Sequence, residues 1–211
     1  MLHVASFTFN PFQENTYVVH DGSQAILFDP GCWNTAEERE LEAWFTHNAI
    51  TPTRLVLTHA HIDHVLGCAW VHKKYGMLPE LHRADLPLLQ AAPRQGQLYG
   101  VHCEPSPEPA HFIEPGDVLR LGNEELKVLF VPGHAPGHIA LFSEEHRFVI
   151  AGDVLFRDSI GRTDLPGGDT DTLLRSIREQ LFPLGDDVVV YCGHGPETTI
   201  GRERQKNPFL K

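Results

Sequence analysis

Short apolar runs dominate the hydrophobic pattern of this chain, and most are too brief for helices. Residues 4–9 and 16–20 read as strands, and the Asp-Gly at the centre of 20–24 turns the chain back into a third strand at 25–28. Asp29, Pro30 and Gly31 then stop it. Residues 34–48 carry a helical stripe, with Leu41, Trp44 and Phe45 on one face. Thr35 or Asn34 can cap that helix, and Glu38 follows Thr35 at the capping-box interval. A short buried strand at 54–57 precedes a helix over 64–75 that Gly76 ends. Further on, 84–91 reads as a helix, and 96–114, rich in Pro, Gly and Glu, as a surface loop. Strand signals return at 118–121, 127–131, 139–142 and 148–151. After an irregular loop over 154–168 come a helix at 170–181, capped by Thr170 or Asp169, and a last strand at 187–191. Strands and helices that alternate in a chain with hairpins predict a mixed sheet covered by helices.

The chain has 211 residues, a length for one well-filled domain over 1–211. Its formal net charge of −11 and the lack of a basic patch argue against a nucleic-acid partner. No apolar run reaches the length of a membrane span. The N-terminus lacks the parts of a secretion signal, which makes the cytoplasm the expected location. Cys32, Cys68, Cys103 and Cys192 are scattered and are expected as free thiols.

Histidine is abundant, with 14 in the chain, and it clusters. The segment "THAHIDH" places His59, His61, Asp63 and His64 where the strand at 54–57 ends. An H-x-H-x-x-H pattern arises by chance about 0.06 times in a chain of this histidine content, and an Asp at the fifth place makes it rarer still. His59 and His61 lie two apart, so in extended chain they project to one side, and Asp63 and His64 follow as the chain bends into a helix. Imidazole and carboxylate together suit zinc, iron or manganese. Three other apolar strands end in glycine and a donor: "VPGHAPGH" with His134 and His138, "FVIAGD" with Asp153, and "VVVYCGHGPET" with His194. The spacing does not choose between His134 and His138.

This motif series resembles that of the metallo-β-lactamase superfamily. Within it the chain is most similar to the short bacterial branch of glyoxalase-II-like hydrolases, which shares a "GRTDLPGGD" loop and a tail like "CGHGPETTIGRERQKNPFL". The resemblance runs from Asn15 to the C-terminus. It implies an α/β (α+β) fold, a four-layer αββα sandwich with two divalent metals, zinc foremost, at one edge between the sheets. It implies one metal on His59, His61 and His134, a second on Asp63, His64 and His194, and Asp153 bridging both. His138 is left a supporting role. The implied reaction is hydrolysis of a small-molecule thioester such as S-lactoylglutathione by a hydroxide between the metals, with Asp63 orienting it or handling its proton. Only 17 residues follow His194, so the helical domain with which full-length glyoxalase II binds glutathione is not expected.

Two rival activities share the fold. Persulfide dioxygenases hold one iron on two histidines and an aspartate and resemble "AHD" where this chain reads "GHG"; lactonases and other ester hydrolases form the second rival. Cys192 is expected as a buried strand thiol, Cys32 as packed near the site, Arg162 and Asp164 as an ion pair, Trp44 and Phe45 as core, and His102 and His111 as solvated. Activity is expected to fall below about pH 6 as protons compete for the histidines.

Overall fold

The computed structural model describes residues 1–211 except Ala110. Two sheets face each other. The first runs β1 (His3–Phe9), β2 (Glu14–His20), β3 (Gln24–Phe28), β4 (Thr51–Val56) and β5 (Pro79–Glu80) in sequence order. Its first three strands are antiparallel, whereas β3, β4 and β5 are parallel. The second sheet contains β6 (Val118–Leu121), β7 (Glu124–Phe130), β8 (Ile139–Ser143), β9 (Phe148–Gly152), β12 (Val189–Cys192) and β13 (Thr198–Thr199), ordered β13-β12-β9-β8-β7-β6. A small hairpin of β10 (Leu155–Phe156) and β11 (Ser159–Ile160) lies between β9 and β12 in the chain.

The two-residue period of the strands sorts their side chains into layers. Tyr17, Val19, Ile26, Phe28 and Val56 pack against Leu126, Val128, Ile139, Leu141 and Ile150 between the sheets. The alternate residues Val18, Leu27 and Leu55 face outward, onto α1 (Thr35–Asn48), α3 (Cys68–Tyr75) and α4 (Leu86–Tyr99) through Leu41, Phe45, Val71 and Leu89. On the far side Ala140, Val149 and Val190 pack against α5 (Thr170–Ser176) and the π-helical turn Ile177–Leu181 that prolongs it, with Ile200 at the start of α6 (Ile200–Lys206). The order helix, sheet, sheet, helix is the expected four-layer sandwich. Both faces of the central strands are covered, which is why β2 and β3 are almost wholly buried.

Several elements depart from the sequence pattern. Asn34, not Thr35, caps α1; its side chain accepts from the N–H groups of Ala36 and Glu37. Glu37 therefore takes the place given to Glu38 and accepts from the N–H of Trp33. The helix expected over 64–75 is split into α2 (Ile62–Val65) and α3. Gly67 lies at the break, where a Cβ would meet Cys32 Sγ at 2.5 Å and the Pro30 carbonyl at 2.8 Å. The helix read over 84–91 runs on to Tyr99 despite Pro93, so 96–114 is not a surface loop throughout. Its Val101 and Cys103 are buried in the cluster that holds Leu89 and Ala92 of α4, and Ile113 is buried in the core between the sheets. The loop over 154–168 contains the β10–β11 hairpin, and α6 carried no helical signal that the pattern separated from a tail. None of the helices among the described residues is long and apolar enough to cross a membrane.

Candidate metal centre

β3, β4, β7, β9 and β12 all run toward one rim, and the residues just past their ends meet there. The ligand-type atoms of His59, His61 and His134 lie within 4.8 Å of one another, as do those of Asp63, His64 and His194. His61 Nδ1 is 2.8 Å from His134 Nε2. Asp153 stands between the two groups. Its Oδ1 is 3.4 Å from His64 Nε2, and its Oδ2 is 3.4 Å from His134 Nε2 and 3.5 Å from His194 Nε2. All seven residues singled out from the sequence are thus in one cluster.

Proton positions follow from the surrounding partners. Asp29 Oδ1 accepts the Thr58 N–H at 2.7 Å, and Oδ2 accepts the Thr58 hydroxyl at 2.6 Å. Having donated its only hydroxyl proton, Thr58 must accept from His59 Nδ1, 3.1 Å away. His64 Nδ1 donates to Asp29 Oδ2 at 3.1 Å, His134 Nδ1 to the Arg162 carbonyl at 2.7 Å, and His194 Nδ1 to the Phe12 carbonyl at 3.1 Å. In these four rings Nε2 is therefore the nitrogen turned inward. The buried His59 Nε2, His64 Nε2 and Asp153 Oδ1 have no hydrogen-bond partner among the described residues. Buried polar atoms without partners are costly, and three of them aimed at one centre fit cations. His59, His61 and His134 can hold one ion, Asp63, His64 and His194 a second, and Asp153 can touch both.

His138, the alternative to His134, has no free nitrogen. Its Nε2 accepts the Asp153 N–H at 3.1 Å and its Nδ1 donates to the Ile139 carbonyl at 3.1 Å, while its ring stacks on His59. It fixes the Asp153 backbone. Gly193 explains the glycine before His194, since a Cβ there would lie 2.0 Å from Asp153 Oδ1.

The cluster is electrostatically divided. Burial pushes His59, His61 and His134 down, His61 to about 4, so these three rings are neutral near pH 7. Burial also opposes charge on His64 and His194, but the carboxylates of Asp63 and Asp153 outweigh it, raising both and bringing His194 to about 10. Burial works against the Asp153 anion too, yet His64 and His194 hold it well below the usual carboxylate range.

Five supporting residues were not singled out from the sequence. Asp29 was read only as the end of a strand, yet it orients both Thr58 and His64. Asn10 Nδ2 donates to the carbonyls of Gly31 and Asp63, both at 3.0 Å. Asn15 Nδ2 and the Tyr17 hydroxyl donate to the Cys192 carbonyl and anchor the His194 turn. Asp85, fully buried, accepts the Ala60 N–H at 3.0 Å and the Gly137 N–H at 2.5 Å, joining the turns that carry His59, His61 and His134. Its carboxyl is pushed up to about 6 by burial, against the two N–H donors. Asp85→Asn offers one acceptor and turns an NH2 group toward the other N–H, so one turn comes loose. We expect kcat/KM to fall roughly 10- to 100-fold with loss of metal from the three-histidine group, read by turnover and metal content.

The remaining expectations fare unevenly. All four cysteines are free and buried; the Cys192 thiol is pushed up to about 12 by burial, as suits a packed strand residue. Arg162 pairs with both oxygens of Asp164 at 2.7 Å. Phe45 is buried and Trp44 partly so. His102 is exposed, but His111 is not merely solvated: its Nε2 is 2.5 Å from Glu80 Oε2.

Residues 9–194 match the family model of the metallo-beta-lactamase superfamily. The chain is 38% identical over 202 residues to the probable metallo-hydrolase YqgX of Bacillus subtilis, covering 95% of this chain and 93% of that protein. It is 36% identical over 202 residues to the hydroxyacylglutathione hydrolase GloC of Haemophilus influenzae, covering 94% and 93%. Among solved structures it is similar to BLEG-1, a B3 metallo-beta-lactamase, at TM-score 0.90 and 34% identity, covering 99% of this chain and 100% of that one. It is likewise similar to TTHA1623, crystallised in a di-iron-bound form, at TM-score 0.88 and 39% identity, covering 98% and 100%.

Proposed function

Because the chain belongs to the metallo-β-lactamase superfamily, a family of metallo-hydrolases, we propose that it hydrolyses acyl thioesters with two divalent metal ions. The observation that carries this reading is the pair of donor groups joined by Asp153, with partnerless nitrogens turned inward beside an open cavity. Bound there, the metal pair supplies acidified water and polarisation of a carbonyl oxygen. Zinc is the proposed metal, although the nitrogen and oxygen donors also suit iron, as carried by TTHA1623.

The residues of the chain do the rest. Water's oxygen joins the acyl carbon, the carbon–sulfur bond breaks, and the thiol leaves with the proton that the water gave up. Asp63 is placed to hold that proton in transit on its carboxylate, whose Oδ2 lies 3.0 Å from His194 Nε2. Asn10 fixes the Asp63 backbone, so the carboxylate does not have to be ordered anew in each turnover. Phe12, Phe156 and His194 crowd one side of the cavity and limit bulk water around the reacting bond.

GloC supplies the thioester reading and BLEG-1 the competing one, β-lactam hydrolysis. The test measures metal content by mass spectrometry on protein purified without added metal, and on the same sample the turnover of S-lactoylglutathione, simple acyl thioesters, lactones and a cephalosporin. We expect about two metal equivalents and thioester turnover ahead of the other substrates. Rapid β-lactam or lactone turnover with idle thioesters would overturn the reading, as would oxygen uptake with glutathione persulfide.

A further inference from the structure

The cavity beside the cluster has a volume of about 580 Å³, enough for a small organic substrate. Its walls beyond the donor residues are mainly hydrocarbon: Phe12, Leu88, Leu98, Tyr99, Phe156 and Leu165. Three of these come from α4, where Leu88, Gln95 and Tyr99 recur at intervals of seven and four and share one helix face, with Leu98 beside them. The face of that helix next to this one is anchored in the core through Leu89 and Ala92. The lip is therefore held firmly, and it is not there for packing. Leu98 is 80% exposed and Tyr99 54% exposed. Among the described residues six large hydrophobic side chains are exposed, so two of the six sit on this one rim. Tyr99 meets Phe12 edge-to-face at 5.7 Å, which joins the lip to the wall near the donors.

The charges point the same way. Apart from the histidines of the cluster, Arg162 is the cation among the described lining residues, and Asp164 engages its guanidinium through both oxygens. Beyond the proposed metal ions, a peptide-like thiol with two carboxylates finds no unpaired cation among the described lining residues, and the chain's net charge of −11 disfavours its approach. Gln95 and Ser159 offer neutral hydrogen bonds.

We propose that the substrates of this site are uncharged thioesters with an apolar arm of about four to eight carbons next to the scissile bond, the arm lying along the trough between α4 and Phe156. The inference rests on the thioesterase reading for its chemistry, but the trough and its preference can be measured without turnover.

The experiment has a kinetic and a binding part, both on the metal-loaded protein. In the kinetic part, N-acetylcysteamine thioesters with acyl arms of two to eight carbons are compared with S-lactoylglutathione. A parallel series keeps a lactoyl group and lengthens an alkyl thiol, which distinguishes an arm on the acyl side from one on the sulfur side. We expect kcat/KM to rise about two- to fourfold per methylene in at least one series, the upper value being that of a fully buried methylene. The best arm should exceed S-lactoylglutathione by at least about tenfold. In the binding part, non-hydrolysable S-alkyl thioethers of N-acetylcysteamine are titrated calorimetrically; affinity should rise with length, with a negative heat-capacity change. Leu98→Ser with Tyr99→Ser, both at exposed positions, should flatten these slopes and leave the melting temperature in place. Flat affinity and flat kinetics overturn the inference, and so does an unchanged slope in the double variant. Length-dependent binding with no turnover of any thioester overturns the thioesterase reading and leaves the apolar trough standing.

Discussion

Asp153→Asn protein is expected to hold about one metal equivalent in place of two and to lose on the order of 10³-fold in kcat/KM. The carboxylate reaches both halves of the cluster: Oδ1 lies toward His64, and Oδ2 lies toward His134 in one half and His194 in the other. Asparagine keeps the volume, so Gly193 still clears the side chain and His138 still accepts the backbone N–H. The change lies in the charge. An amide removes one negative charge from the point between two proposed cations and turns an NH2 group toward nitrogens that need a Lewis acid. A fold defect is separated from this effect by circular dichroism and thermal melting, both of which should stay close to the parent. Near-parental turnover with two metals retained would show that Asp153 does not join the two halves.

How much of this was legible beforehand differs between the ligands and their supports. His59, His61, Asp63 and His64 stand in one run, and His134, Asp153 and His194 each follow a strand and a glycine. A local pattern is enough to find them, because a strand end is a rigid mount and the pattern repeats. The supporting residues have no such signature. Asn15 is 177 positions from the Cys192 carbonyl it holds, and Asp85 is 52 from Gly137. Those pairings arise only when the two sheets stack, so no spacing in the chain announces them. Asp29 was hidden differently: in "DPG" it has the composition of a turn, and it does sit at φ 47°, yet its side chain is spent on Thr58 and His64. The choice between His134 and His138 also needed the fold, since both follow a Pro-Gly pair and only their hydrogen-bond partners differ.

The same tertiary override accounts for the region after residue 91. Pro93 and Gly96 argue against helix on propensity. They are outweighed because α4 buries Leu89 and Ala92 in the outer core, while Gly96 allows the Val101 carbonyl to approach; a Cβ there would lie 2.6 Å from that oxygen. The apolar lip at Leu98 and Tyr99 exists only because the helix continues beyond Pro93 and Gly96 to end at Tyr99. The proposed substrate preference thus depends on the stretch whose sequence pattern was least informative.

Lowering the pH is expected to remove the two metals unequally. His59, His61 and His134 are already neutral near pH 7, and His61 is protonated only near pH 4. An ion entering this group meets rings that burial already keeps neutral near pH 7, so its affinity should change little between pH 7 and 8. In the metal-free protein His64 and His194 carry protons, held there by Asp63 and Asp153 against the cost of burial. An ion entering that half must expel them, and its affinity should rise about tenfold per pH unit for each proton expelled, up to the His194 value near 10. Dialysis at pH 5.5 should therefore leave about one equivalent and at pH 8 two, with activity following the second. The loss of activity on the acid side then reflects proton competition at His64 and His194, not at the three-histidine group. The sign for folding is the reverse. Histidines whose folded pKa is raised stabilise the metal-free protein below about pH 6.5, and that contribution fades as pH climbs toward 10. Metal-free protein should consequently melt at a higher temperature at pH 6 than at pH 10, whereas its metal affinity runs the other way. Equal pH slopes for both equivalents, or earlier loss of the ion at His59, His61 and His134, would contradict the division of the cluster into a neutral half and a protonated half.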